Sequence, residues 1–305
     1  MKKTRGEYGL RLSSVKRFVI IFLLLLICPV IAFSQKNGKG IVDAKYECRW
    51  SVNFIDDTTK MIQGIEDWIV LQIGDDLSYQ YSYLSHQWDS IQAHLLKNPN
   101  EMALFIENRI EELRNSDTRE SGVPRSSSLR NAKLYKDYKA KKIKALDHIS
   151  VHWFTYEESL TPQDWEIQDD TMTIAGYLCQ KAVCDYRGRS YEAWFAPEIP
   201  INEGPWKFYG LPGLIIRLND TQHHYEFDLE EFKSVNNTID TNVLTTNKMV
   251  SDNRTVTLTK IEREKLLRMQ WGKQGDMIAQ AEMAKVGIPF TPSVKQHDYI
   301  ERDYK

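Results

Sequence analysis

The chain has 305 residues, with 40 Lys and Arg against 42 Asp and Glu for a formal charge of −2; it is 42% hydrophobic and 27% charged, with 15 Gly, 10 Pro and 4 Cys. These proportions fit an ordinary globular protein and exclude collagen, a disulfide-dense miniprotein and wholesale disorder. The near-neutral balance argues against a broad phosphate-binding surface, because nucleic-acid binders carry a basic excess.

Residues 1–34 read as a secretory signal peptide. Lys2, Lys3, Arg5, Arg11, Lys16 and Arg17 precede an apolar run from Phe18 to Phe33, and Ala32-Phe33-Ser34 places small residues for cleavage before Gln35. The run is shorter than the ~20 residues of a membrane span; an uncleaved anchor is the competing reading. Around Cys28, bulky Ile27 and Pro29 depart from the small residues a lipobox needs. Cleavage removes six basic residues and one acid, leaving 34 basic against 41 acidic residues, a charge of −7. Such a chain has little attraction to polynucleotides or anionic lipid.

In chain order, the mature part opens with Val42, Tyr46, Trp50, Val52 and Phe54 at even spacing, a half-buried strand. After the turn-like Asp56-Asp57-Thr58-Thr59, Trp68 to Ile73 is apolar enough for a strand covered on both faces. Beyond Gly74, Tyr79, Tyr81 and Tyr83 line one face of another strand, either a packing surface or the floor of a cleft. From Gln87 to Asp147 the period changes. Met102, Ile106, Ile110 and Leu113 share a helical stripe, 115–130 reads as a loop, and Leu134, Tyr138 and Lys141 continue a weaker helical pattern. The basic cluster Lys133, Lys136, Lys139, Lys141, Lys142 and Lys144 reads as a solvated face. Strand signals return at Trp153, Thr155 and Glu157; Tyr177–Tyr186 and Tyr191–Phe195 then flank Arg187-Gly188-Arg189, whose glycine supplies the positive φ of a tight hairpin. Strands at 214–219 and 223–232 follow, and Thr259 to Val286, with Leu266, Leu267, Met277 and Ile278, reads as helical.

Residues 174–219 resemble the GLPGLI family. Its motif stands intact as Gly210-Leu211-Pro212-Gly213-Leu214-Ile215, supported by Gly176-Tyr177, Cys179, Lys181-Ala182, Gly188-Arg189, Trp194, Ile199-Pro200 and Gly204-Pro205. The resemblance covers about 45 residues and implies an exported protein of Bacteroidota-type bacteria with no established activity. The residues themselves suggest stiff scaffolding: Pro212-Gly213 suits a type II turn with positive φ at the glycine, and Leu214, Ile215 and Ile216 launch a strand. The rival reading is glycine that lets a ligand approach the backbone.

Reactive chemistry is sparse. His148 with His152, and His223-His224, lack the accompanying acid or thiol at metal-ligand spacing. There is no Gly-x-Ser-x-Gly elbow, P-loop or Gly-x-Gly-x-x-Gly. Three cysteines remain after the leader: Cys48 pairs with Cys179 or Cys184, or all three are buried thiols.

The expected fold is α+β, a curved antiparallel β-sheet like a half-barrel, with a helical or mobile insertion at about 87–147 and a C-terminal helix packed on it. Residues 35–305 form one domain. The first functional expectation is an exported, periplasmic or outer-envelope binding module without catalysis or cofactor, holding an apolar ligand or a peptide segment in a cleft lined by Tyr79, Tyr81, Tyr83, Trp153 and Trp194. The second is a docking partner of an outer-membrane transporter or surface assembly, using 87–147; the third is a hydrolase built from scattered His and acid residues. Nucleic acid is not an expected partner, nor is the cleaved chain an integral membrane protein.

Overall fold

The computed structural model describes residues 40–58, 61–63, 66–115, 132–149, 152–246, 248–251, 254–271, 277, 281 and 300–303. The expected signal peptide, its cleavage point, the 116–130 loop and Ile278 lie outside the described residues.

The protein is dominated by one large, open β-sheet with few short helices. Its strands are β1 (Ile41–Asp57), β2 (Ile62–Gln63), β3 (Asp67–Ile73), β4 (Leu77–Ser82), β5 (Lys133–Asp137), β6 (Lys142–Ile149), β7 (His152–Ser159), β8 (Glu166–Ile174), β9 (Tyr177–Tyr186), β10 (Arg189–Ala196), β11 (Leu214–Asp220), β12 (Tyr225–Asp240) and, after a separate ribbon of β13 (Lys248–Ser251) and β14 (Arg254–Thr257), β15 (Thr259–Lys260). The order across the sheet is β15-β7-β6-β5-β4-β3-β1-β12-β11-β10-β9-β8, with β2 paired to the end of β1. Pairing is antiparallel except for β15 on β7. The helices are α1 (Tyr83–Lys97), α2 (Pro99–Asn115), α3 (Asn242–Thr246) and α4 (Arg263–Trp271).

Alternation fixes which side chains go inward. In β1, Cys48, Trp50, Val52 and Phe54 share one buried face, and Ile69, Leu71 and Ile73 of β3 join them. The same core takes Phe154 and Tyr156 from β7, Tyr191 and Ala193 from β10, and Leu266 from α4. On the opposite face, Ala44, Leu77, Tyr135, Leu146, Trp153 and Ile239 form a smaller core with Val243 of α3 and Leu258. Burying each large apolar side chain contributes about 1.5–3 kcal/mol. The Val70 side chain, between Ile69 and Leu71, is buried as well, but Trp68 and Gln72 on its face are only half-buried, so β3 is covered fully on one face and in part on the other.

The sheet is not flat. Arg187, in the β9–β10 turn, places Nη2 2.6 Å from Glu158 Oε2 on β7. Those strands are nine ladder steps apart in the order above, which would separate them by about 43 Å in a plane. The concave side thus created holds the connection 197–213, α4 and residues 300–303.

The segment 87–147 departs from expectation. Among the described residues of this segment, helix is confined to α1 and α2, and Lys133–Asp137 with Lys142–Ile149 form a hairpin inside the sheet. The helical spacing of Leu134, Tyr138 and Lys141 is coincidental: Leu134 faces the main core, while Tyr138 and Lys141 belong to the turn, Lys141 with φ +53°. Nor are the lysines one solvated face. Lys133, Lys136 and Lys144 are 4%, 1% and 6% exposed, because Asp89, Glu203 and the Val243 carbonyl meet their ammonium groups. Tyr83 leaves the tyrosine row. It opens α1, whose N-cap Ser82 accepts a hydrogen bond from the Ser85 amide at 3.1 Å.

No disulfide joins Cys48 to Cys179 or Cys184; all three are free, buried thiols. Four ladder steps separate β1 from β9, about 19 Å along the sheet, whereas bridged Cα atoms lie within about 7 Å.

Candidate functional site

The motif segment sits inside the molecule. Residues 203–208 are buried, as are Leu211, Gly213, Leu214 and Ile215; Gly210 is half-buried and Pro212 exposed. The positive φ falls on Gly210, at +97°, and not on Gly213. Gly213 is required for another reason: a Cβ there would lie 2.3 Å from the Ala196 carbonyl oxygen. A Cβ on Gly204 would meet Ile215 Cδ1 at 2.6 Å, and Pro205 accepts the Phe208 amide at 3.2 Å to close the intervening turn. The glycines therefore serve close packing of the chain against itself.

Two charged groups are sealed beside this segment. Lys136, reaching from β5, donates to Glu203 Oε2 at 2.6 Å and to the Phe208 carbonyl at 3.1 Å, while the Tyr138 hydroxyl donates to Glu203 Oε1 at 2.5 Å. Burial and the Glu203 carboxylate push the Tyr138 hydroxyl well above its ordinary pKa. Burial likewise pushes the Cys48 thiol up, away from the thiolate a nucleophile needs.

The second group centres on Lys207, which has no exposed surface. Its Nζ lies 2.5 Å from Glu158 Oε1 and 2.6 Å from Glu301 Oε1, with the Tyr156 and Trp206 rings at 5.0 and 5.4 Å. Arg263 reaches Glu301 and Asp303 at 2.5 Å each, and Arg187 reaches Asp303 at 2.6 Å. Burial alone would lower the Lys207 pKa, but Glu301, Tyr156 and Glu158 outweigh it and hold the ammonium charged. Glu301 is raised by burial and more than brought back down by Lys207 and Arg263. An amine so firmly protonated is a fixed charge and not a general base. Spacing in the sequence carried no sign of this group, whose members come from β7, two connections, α4 and residues 300–303.

Of the five aromatic residues expected to line one cleft, Tyr79, Tyr81 and Trp153 gather on one face of the sheet, while Tyr83 and Trp194 stand apart from them. Tyr79 stacks on Tyr135 with centroids 4.6 Å apart, and Tyr81 lies 5.3 Å from Tyr79. Tyr79 packs against the core that contains Trp153, on the face closed by α3. Tyr83 meets Trp68 edge-on at 6.0 Å. Trp194 is on the other limb of the sheet, under Lys181 at 5.8 Å and bonded to Glu192.

His148 packs on Trp153 at 4.9 Å, His152 is exposed, and His223 Nδ1 is 2.7 Å from Glu226. Among the described residues no group of three His, Cys, Asp or Glu is placed to hold a metal ion, and no helix is long and apolar enough to cross a membrane.

Strand β8 is largely exposed along its length. Among the described residues it pairs only with β9, so its outer backbone groups form a sheet edge. A register shift between Ile167 and Thr171 bulges its middle, but Thr171–Ile174 run in regular register against Tyr177–Gln180. Asp164, Glu166, Asp169 and Asp170 are exposed, and no Lys or Arg occurs from 164 to 180. Met172 and, on β9, Leu178 are 41% and 62% exposed.

No curated protein matches the chain. The solved structures that resemble it include "Structure of PNGF-II in P21 space group" (14% identity, TM-score 0.45) and "Structure of PNGF-II in C2 space group" (13%, 0.44), each covering 75% of this chain. The chain spans about a third (33%) of the length of those structures. Residues 187–217, which hold β10 and the buried connection beyond it, match the family model Porph_ging, described as a protein of unknown function.

Proposed function

We propose that this is an exported, GLPGLI-type protein of the bacterial cell envelope that binds without catalysis, and that it holds an extended segment of a partner protein by strand addition to β8. The observation that carries this reading is the edge Thr171–Ile174, which among the described residues pairs only with β9. An exposed edge of regular strand is a template for another chain, and natural proteins usually cover or blunt it. Here the bulge blunts only the first half. Thr171-Met172-Thr173-Ile174 carries no charge and no proline, while four acids beside it favour a basic partner. The half-barrel reading of the sheet is supported by the Arg187–Glu158 contact. An apolar ligand on the concave side is less well supported than a peptide, because residues 197–213 and Leu266 already pack there.

The probes are two labelled peptides of alternating pattern, Lys-Val-Thr-Val-Lys-Thr and its counterpart with Glu for Lys. The basic peptide is expected to bind at micromolar Kd and to slow amide exchange at 171–174, and Thr171→Pro with Thr173→Pro to abolish both effects. Equal binding of the two peptides, or binding unaffected by the prolines, would overturn the reading.

A further inference from the structure

Residues 300–303 lie in the molecule as a bound peptide lies in its receptor. Ile300 is 2% exposed and enters the main core. Glu301 reaches Lys207, Arg263 and the Trp206 indole N–H, which donates to it at 3.0 Å. Arg302 turns the other way to Gln222, and Asp303 returns to Arg187 and Arg263. Ile300 and Glu301 are thus both buried, Arg302 is half-buried and Asp303 is exposed at the mouth of the site. The Tyr191 hydroxyl donates to the Ile300 carbonyl at 2.9 Å, and the Arg302 amide donates to the Arg187 carbonyl at 2.7 Å. The receiving turn is shaped for the approach: a Cβ on Gly188 would lie 2.9 Å from Arg302 Cβ.

We infer that the site bounded by Arg187, Lys207 and Arg263 is a binding site for acidic peptides of the pattern apolar-Glu-x-Asp, and that residues 300–303 are its tethered ligand. The charge count decides for this over ordinary packing. Without the segment, three cations face one buried carboxylate, Glu158, with the half-exposed Glu264 3.3 Å from Arg263. Glu301 supplies a second buried carboxylate to Lys207 and Arg263, and Asp303, more exposed at the rim, pairs with Arg187 and Arg263. Buried charges without partners are strongly unfavourable, so a vacated site calls for a carboxylate in place of Glu301, and the cations at the rim favour a second one two residues on. The geometry also holds Trp206 at φ +57°; a non-glycine residue in that region persists only where its surroundings over-determine it, which is common at ligand clamps. This site shares no residue with the β8 edge, and its fate is independent of that reading.

The test uses the full chain and a labelled peptide of sequence Gln-His-Asp-Tyr-Ile-Glu-Arg-Asp-Tyr-Lys, which copies residues 296–305. In the wild type the tether competes at high effective concentration. The double variant Glu301→Gln, Asp303→Asn weakens that competitor, and the peptide is expected to bind it at least ten-fold more tightly than the wild type. Replacing both acids of the peptide by amides should cost at least ten-fold. Equal affinity for wild type and variant, or for acidic and amidated peptides, overturns the inference. Should the variant fail to fold, hydrogen exchange on the wild type decides: millimolar peptide should speed exchange at 300–303 at least ten-fold and leave β1 and β3 unchanged, and no change at 300–303 overturns it.

Discussion

The indole N–H of Trp50, in the middle of β1, donates to the carbonyl oxygen of Ile215, 165 residues further on, at 2.9 Å and fully buried. Ile215 sits at the register shift between β10 and β11, where the regular ladder is interrupted. The last residue of the Gly210–Ile215 motif is thus anchored by the side chain of a central strand. Trp50→Phe would leave a buried carbonyl without that donor and a gap beside it. A loss of about 1–3 kcal/mol is expected from the unmade hydrogen bond, with more from the gap; urea denaturation of the two proteins measures it.

Lys136 and Glu203 test the sealed pair. Lys136→Met leaves the Glu203 carboxylate buried among Tyr138 and the core, and breaking one side of such a pair costs about 3–5 kcal/mol. Adding Glu203→Gln should recover most of that loss. A double variant no more stable than Lys136→Met would mean the pair is not coupled as its 2.6 Å separation implies.

Two glycines separate strain from crowding. Gly213→Ala drives a methyl into the Ala196 carbonyl and is expected to cost about 1–3 kcal/mol as overpacking. Gly176→Ala meets nothing within 4 Å, so only its φ of +86° is penalised, about 1–2 kcal/mol. The crowded site should lower the melting temperature more than the open one.

Asp147, buried on β6, gives a pH signature. Burial pushes its carboxyl up to about 7, beyond what the Gln270 side chain and the His148 amide recover. From about pH 4 to 7 the folded state therefore keeps a proton that the unfolded chain has released. Stability falls through that window and levels off above it. The effect is on the order of 4 kcal/mol. Asp303 and Glu301 act in the opposite sense: their depressed values contribute stability that is lost only as pH drops below about 4. Asp147→Asn should gain on the wild type steadily from pH 4 to 7 in urea titrations. A constant difference across that range would exclude a raised carboxyl.

Thiol reagents should find Cys48, Cys179 and Cys184 unreactive in the native protein, where burial raises all three, Cys184 to about 12. All three should react once it is unfolded without reductant; fewer would indicate a bridge.

The strands were legible wherever apolar residues alternate over enough length. Trp50, Val52 and Phe54 share a face as their spacing predicts, and Arg187-Gly188 forms the hairpin turn with φ of +51° and +78°. At β5 and β6 the spacing misleads because Lys133, Lys136 and Lys144 hold buried positions among the apolar ones, and hydrophobic periodicity treats a lysine as a solvent residue. Tyr83 leaves its row for a different reason: its place is set by the Ser82 cap and by Asp67, which accepts from the Ser82 hydroxyl at 2.7 Å.

The sequence by itself determined that this is a sheet protein with a rigid glycine-proline segment near its centre, since backbone preference and alternation are local properties. The tertiary structure alone decided which charges are partners. Lys207, Glu158 and Glu301 acquire their meaning only when a bent sheet brings β7, the β10–β11 connection and residues 300–303 to one point. Electrostatic pairing depends on distance in space, and neither the type of a residue nor its spacing along the chain encodes that distance.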